Sequence, residues 1–263
     1  MRENQVAETV NVNVEGRVAT IELNRPEALN ALNKDILKTL ACKLKEISIS
    51  DDIDIVVLTG SGNVFSAGGD IKSMLKDINE SELTSVMEII SELVLTLYCL
   101  PKVTITAIKG AAAGLGMSLA LATDYVMAEK SSKVAMNFIN LGLIPDGGAH
   151  FFLEKLVGEA KAKQIIWKGE TMSAEKAWEL GLINEIVAED ITAALQNKID
   201  EWLGQPLQAM IKTKKIFADI NRPHLLKVLE FEKIAQVKMW ETDDHKEGIQ
   251  AFLDKRQPQF TGK

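Results

Sequence analysis

The chain of 263 residues has only two thiols, Cys42 and Cys99. A disulfide framework is excluded as its source of stability, and two cysteines in a chain this long, both read as small buried hydrophobes, suit a reducing compartment. Long basic runs are missing as well. Lys and Arg number 30 against 37 Asp and Glu, a formal charge of −7, which argues against nucleic-acid binding and against a polybasic membrane anchor. An anionic ligand must be held by local groups. Residues 1–8 are polar and lack the apolar core of a secretory signal, so a cytoplasmic protein is expected. Residues 103–123 are apolar enough to suggest a membrane span, but Lys109 and Gly110 sit near the middle. That stretch reads as a buried strand entering a buried helix. The three histidines, His150, His224 and His245, are scattered without metal-ligand spacing. No metal is expected, and they read as surface or helix-end residues.

What the sequence does have is 46% apolar residues beside 25% charged ones, a composition able to bury a large core. Residues 10–14 alternate with period two, Glu15-Gly16 turns, and residues 18–23 alternate again, which predicts a β-hairpin. Leu32, Leu37, Leu40 and Leu44 then mark one face of a helix, and residues 55–58 read as a buried strand. Residues 81–100 predict a long helix with Ser81 as its N-cap, closed by Pro101. Strands are expected at 103–108, at 125–128 and near Val134, with a buried helix from Gly116. This alternation predicts a parallel sheet. Beyond Gly147 helical patterns dominate, at 147–156, 159–167, 174–180, 191–202, 207–219, 225–239 and 245–253, and only 182–187 looks extended. The chain therefore divides near residue 200 into an α/β core over 1–200 and a helical region over 201–263. The apolar faces of that second region need the core or another subunit. Trp167, Trp178, Trp202 and Trp240 lie on helical patterns and read as packing, and Glu88 reads as part of a solvated helix face.

Two glycine-rich loops carry the strongest local signal: Phe65-Ser66-Ala67-Gly68-Gly69-Asp70-Ile71-Lys72 and Gly110-Ala111-Ala112-Ala113-Gly114-Leu115-Gly116-Met117-Ser118. Neither ends in the Gly-Lys-Ser/Thr of a phosphate loop. Small residues let backbone N–H groups approach a ligand closely, and two such loops converging would form an oxyanion hole. Taken singly, such glycines also serve turns and helix–strand packing. Pro145-Asp146-Gly147-Gly148 is good turn chemistry, with Asp146 a favoured cap for the helix that follows.

The two loops occur in order with other motifs. Leu23-Asn24-Arg25-Pro26-Glu27-Ala28-Leu29-Asn30-Ala31-Leu32 lies upstream, and Asp124 and Leu141-Gly142-Leu143-Ile144-Pro145-Asp146-Gly147-Gly148 lie downstream. Ala174-Glu175-Lys176-Ala177, Leu180-Gly181-Leu182-Ile183, Glu247-Gly248 and Ala251-Phe252-Leu253-Asp254-Lys255-Arg256 follow. This ordered set resembles the crotonase (enoyl-CoA hydratase/isomerase) superfamily over almost the whole chain. The resemblance implies an α/β crotonase (ClpP/crotonase) fold, a spiral of ββα units with a C-terminal helical trimerisation region. It also implies homotrimers or dimers of trimers, acyl-CoA thioester substrates, and no cofactor beyond the coenzyme A carried by the substrate.

Residue by residue, Gly69 and Leu115 match the family positions whose backbone N–H groups bind the thioester oxygen. Ala28, Ala67, Asp70 and Ile71 match coenzyme A contacts, and Phe252 and Lys255 match positions reaching the nucleotide. Hydratases of the family carry two glutamates, whose slots hold Ser118 and Phe138 here, with Phe138 left as a substrate contact. Asp146 falls where isomerase members carry a carboxylate beside the acyl chain. One carboxylate suffices to move a proton from C2 of a 3-enoyl thioester to C4. Burial against Phe138, Leu143 and Ile144 is expected to raise its pKa. The loop at 74–80 would close the pocket. The alternatives are a hydratase with atypical catalytic residues and a non-catalytic acyl-CoA-binding homologue. A further rival uses Asp146 as a nucleophile, as aromatic acyl-CoA dehalogenases do, but no histidine precedes His150 to serve as their base.

Overall fold

The period-two runs pair as an antiparallel hairpin of β1 (Val10–Glu15) and β2 (Val18–Leu23), with Val10 opposite Leu23 and Glu15 opposite Val18. The structure is a computed structural model that describes residues 8–74 and 79–263. Residues 1–7, read above for export, and residues 75–78 of the expected closing loop lie outside the described residues. From β2 the main sheet runs parallel through β3 (Ile55–Gly60), β4 (Val103–Ile108), β6 (Tyr125–Glu129) and β9 (Glu185–Val187). A smaller sheet joins β5 (Ala111–Ala113), β7 (Lys133–Ala135) and β8 (Thr171–Ser173), the last pair antiparallel.

The central strands read as near-continuous apolar runs because both of their faces are covered. Val56 and Leu58 face the larger core with α1 (Lys34–Ser48) and α3 (Glu80–Tyr98). Ile55, Val57, Ile105 and Ala107 face a smaller core closed by α8 (Ile191–Leu203) and the first turns of α9 (Leu207–Trp240), through Ile199, Leu207 and Ile211. The short helices α2 (Ile71–Met74), α4 (Leu115–Leu121), α5 (Ala149–Val157), α6 (Glu159–Lys168) and α7 (Ala174–Glu179) connect the strands, and α10 (Asp243–Leu253) ends the helical series. All of α4 is buried, as its Ala/Gly-rich sequence requires. No helix among the described residues is long and apolar enough to cross a membrane.

Several expectations need correction. The cap of α3 is Asn79, whose side chain accepts the N–H of Glu82 at 2.9 Å, and Ser81 lies inside the first turn. Segments 207–219 and 225–239 are one helix, since α9 continues through Pro223. A proline deletes one backbone donor, but this stretch is largely exposed and its carbonyls reach water. Strand β8 was not expected at all, being only three residues long. Of the helices beyond residue 200, α9 packs on the core, one of the two partners its apolar face was expected to need. Leu225 and Leu229 of α9 enter the larger core, and Lys214 ties α9 to the sheet through Asp124 at 2.8 Å.

Glycine is required where β3 ends. A Cβ on Gly60 would collide with the backbone oxygens of Val64 and Phe65 and with the Asn30 amide. Gly60→Ala is therefore expected to lower unfolding stability by about 2 kcal/mol in a urea titration, with an unchanged m-value.

Candidate active site

The two glycine loops leave the carboxyl ends of the neighbouring parallel strands β3 and β4, where open α/β sheets place their ligands. The first loop runs as an extra strand segment between two partners. On one side Leu32 N–H donates to Gly68 O (2.7 Å) and Asp70 N–H donates to Leu32 O (3.1 Å). On the other, Ser66 N–H donates to Ala111 O and Ala113 N–H donates to Ser66 O, both at 3.0 Å. In such a ladder the N–H of the residue between two bonded neighbours points away from the partner. Gly69 is that residue, so its N–H is turned from Leu32.

Packing explains the small residues. A Cβ on Gly68, which has φ +93°, would sit 2.7 Å from Ala113 O, and one on Gly116 would sit 2.7 Å from Ser66 Cβ. The upstream Asn24–Leu32 motif braces this arrangement. Asn30 is buried in a left-handed conformation (φ 52°). Its Oδ1 accepts from Arg25 N–H at 2.8 Å, while its Nδ2–H donates to Ser61 O and Val64 O at 3.0 and 2.7 Å. Ser66 Oγ–H donates to Asn30 O (2.9 Å) and accepts from Gly68 N–H (3.1 Å). The second loop enters α4 with Ser118 N–H bonded to Gly114 O, leaving Leu115 among the residues whose N–H has no intrahelical acceptor.

Both loops open on one cavity of about 750 Å³, part of it open to solvent. Gly69, Leu115, Asp146, Ala67, Ile71 and Phe138 all line it. Ala28, Asp70, Phe252 and Lys255 do not. The Asp70 carboxylate is held by Arg25 at 2.5 Å and accepts the N–H of Lys72, so it braces the loop. Phe252 is exposed on α10, and Lys255 follows it in a left-handed turn. The remaining wall is mostly apolar, built from α3 (Leu83, Val86, Met87, Ile90) and the 3-10 turn Asn137–Leu141. Glu88 is exposed, as its reading on a solvated face requires.

Asp146 is 7% exposed and is the one ionisable side chain among the described residues lining the cavity. The expected capping role is overturned: α5 starts at Ala149, its N-cap is Gly148, and no side chain of Asp146 caps it. Glu232 of α9 takes that role, accepting Gly148 N–H at 2.7 Å and His150 N–H at 3.2 Å. The carboxyl of Asp146 is thereby left to the cavity. Its Oδ2 accepts from Gln236 Nε2–H at 3.3 Å, and its Oδ1 is buried without a partner among the described residues. The turn also sits directly on the second loop. Ser118 Oγ–H donates to Asp146 O at 2.8 Å, and a Cβ on Gly147 would fall 2.6 Å from Leu115 Cδ1. Burial pushes the Asp146 carboxyl up to about 7, reinforced by the negative charge of Glu232 and opposed by the Gln236 hydrogen bond and the charge of His150. The direction is the one its apolar neighbours predict; the Glu232 contribution was not foreseen.

Glu232, Gln236 and Trp240 are the site residues the sequence reading missed. Their signal was available: the buried stripe Leu225, Leu229 continues at helical spacing onto Glu232 and Gln236, and polar residues on an apolar face require partners. Trp240 lines the cavity, against its reading as packing alone, and Trp167 and Trp178 are exposed. His245 is buried rather than superficial. Its Nδ1 lies 2.8 Å from Leu141 O, its ring lies against Trp240, and burial lowers its pKa. Among the described residues no cluster of three or more His, Cys, Asp or Glu is arranged to hold a metal ion.

Residues 13–263 match the family model described as enoyl-CoA hydratase/isomerase. The chain belongs to that family. Among relatives of this hydratase/isomerase family member, Bacillus subtilis YhaR is 48% identical over 245 residues, covering 93% of this chain and 96% of its own. The 1,2-epoxyphenylacetyl-CoA isomerase of Escherichia coli K12 is 37% identical over 254 residues, covering 95% and 97%. The crystal structure of an enoyl-CoA hydratase from Mycobacterium avium subsp. paratuberculosis superposes with a TM-score of 0.88 at 28% identity, covering 97% of this chain and 99% of that one. The fold is accordingly the crotonase fold.

The raised pKa has a consequence for stability. In the unfolded chain Asp146 loses its proton above about pH 4, whereas the folded protein keeps it up to about 7. Stability contributed by the neutral acid is present below pH 4 and is lost as pH rises through 7. Asp146→Asn keeps a neutral side chain, so its melting temperature relative to wild type is expected to be higher at pH 8 than at pH 4.5.

Proposed function

We propose that this protein is an acyl-CoA isomerase that converts 3-enoyl-CoA to 2-enoyl-CoA, with Asp146 as the single proton shuttle and the N–H groups of Gly69 and Leu115 as the oxyanion hole. The observation that carries this reading is one buried carboxyl, free at Oδ1, on a cavity with no second ionisable lining group among the described residues. The carboxylate takes a proton from C2, the C2–H bonding pair moves into the thioester as a dienolate, and two main-chain N–H groups bear the negative oxygen. The same carboxyl then protonates C4, and the double bond ends between C2 and C3. A group whose pKa lies near 7 is suited to both halves of this exchange.

Hydration would need one group to activate water and another to protonate carbon. Of the two hydratase slots, Ser118 spends its hydroxyl on Asp146 O and Phe138 is an aromatic wall. The name of the Escherichia coli relative supports isomerisation as well, and with the aromatic walls Phe138 and Trp240 it favours a ring-epoxide thioester as a second substrate class. His150, the nearest candidate base for a nucleophilic mechanism, is engaged by Glu232 at 2.7 Å and does not line the cavity. The same reading includes assembly of copies. Phe217, Ile220, Phe231 and Ile234 are exposed on α9, an apolar surface that another copy of the chain would cover.

The test is a panel of 3-enoyl, 2-enoyl and ring-epoxide CoA thioesters. Wild type is expected to isomerise the first, and kcat/KM is expected to rise with pH to a plateau above about 7. Asp146→Asn should lose about 10²- to 10⁴-fold in kcat with coenzyme A binding retained. Rapid hydration of 2-enoyl-CoA that survives this substitution would refute the assignment.

A further inference from the structure

Glu232 and Gln236 stand one turn apart on α9, and between them they grip the Asp146 turn on both sides. Gln236 Nε2–H donates to Ile144 O (3.1 Å) and to Asp146 Oδ2 (3.3 Å). Glu232 holds the N–H groups of Gly148 and His150, and its Oε1 lies 2.7 Å from His150 Nδ1. Both side chains are 2% exposed. Asp146 therefore has no reason to swing back onto α5, whose first N–H groups are already taken, and one of its two oxygens is occupied. We propose that Glu232 and Gln236 are positioning residues for Asp146: Glu232 takes over the capping of α5, Gln236 fixes Oδ2, and Oδ1 alone is left to carry the proton. The proposal rests on the isomerase reading for its catalytic meaning, but its geometry does not depend on the substrate.

The two residues act on the acid with opposite sign. An amide N–H donated to a carboxylate stabilises the ionised form, whereas a carboxylate nearby destabilises it. The charged groups facing Asp146 are Glu232 from α9 and His150 from α5. The other elements lining the same cavity present Leu83, Val86, Met87 and Ile90 from α3, Leu115 from α4, and Asn137, Phe138 and Leu141 from the 3-10 turn, and Ser118 of α4 bonds the Asp146 main chain; none of these titrates.

The experiment is a carboxyl ¹³C NMR titration of aspartate-labelled protein without substrate, the Asp146 signal being assigned by its loss in Asp146→Asn. Glu232→Gln removes the charge but retains an oxygen for Gly148 N–H, and the Asp146 midpoint is expected to fall by about one pH unit. Gln236→Met removes the donor, and the midpoint is expected to rise. The acid limb of kcat/KM should move with each midpoint, and Gln236→Met should lower kcat more than it changes KM. Midpoints that stay at the wild-type value, or that move in the same direction in both variants, overturn the proposal. Should Glu232→Gln fail to fold, Gln236→Met decides alone, and a midpoint that does not rise overturns it. Opposite shifts in a protein that leaves 3-enoyl thioesters untouched uphold the positioning role and remove only the isomerase reading. Isomerisation with unmoved midpoints removes the positioning role only.

Discussion

A carboxyl group in an apolar cavity stays available for proton exchange only if its surroundings hold it there without pairing it to a cation. Asp146 meets that condition through a division of labour among its neighbours. Ser118 binds its main chain, Gln236 binds one side-chain oxygen, and Glu232 satisfies the helix that would otherwise claim the acid as its cap. Among the described residues no Lys or Arg pairs with it, and the neighbouring His150 ring is engaged by Glu232. The group is thus kept at a proton affinity far above that of a solvated aspartate, which is a useful property for a base and an unfavourable one for folding.

The glycine loops follow a second constraint, the close approach of two main chains. Bridges from Ser66 to Ala112 and from Leu32 to Gly69 lay the first loop between two neighbours. Side chains larger than hydrogen at Gly68 or Gly116 would part them. The Asn30 brace fixes the same loop from behind through Ser66. The rigidity of the two loops and the isolation of the acid are therefore built by different parts of the chain, and they meet because Gly147 and Ser118 pack the Asp146 turn against the start of α4.

Much of this was legible in sequence. Period-two runs gave β1 and β2, continuous apolar runs gave β3 and β4, and ordered motifs placed Gly69, Leu115 and Asp146 in one site. What escaped has identifiable physical reasons. Pro223 stands in an exposed turn of α9, where a missing donor is tolerated, so the rule that proline ends a helix misleads there. Asp146 has the sequence context of a helix cap, and only the arrival of Glu232 from another helix decides that it is not one. Asp70 gives no local sign of its ion partner, because Arg25 reaches it from 45 residues upstream. In each case a partner distant along the chain sets the outcome, and local pattern carries no record of it.

That distance has a bearing on how the protein comes into being. Gln236 lies 90 residues beyond Asp146, and Glu232 lies 84 beyond Gly148. Synthesis proceeds from the N-terminus, so a ribosome-bound chain lacking α9 has neither the Gln236 donor on Asp146 nor the Glu232 cap on α5. The surroundings of the acid are complete only when α9 docks, so the cavity reaches its final form late in synthesis.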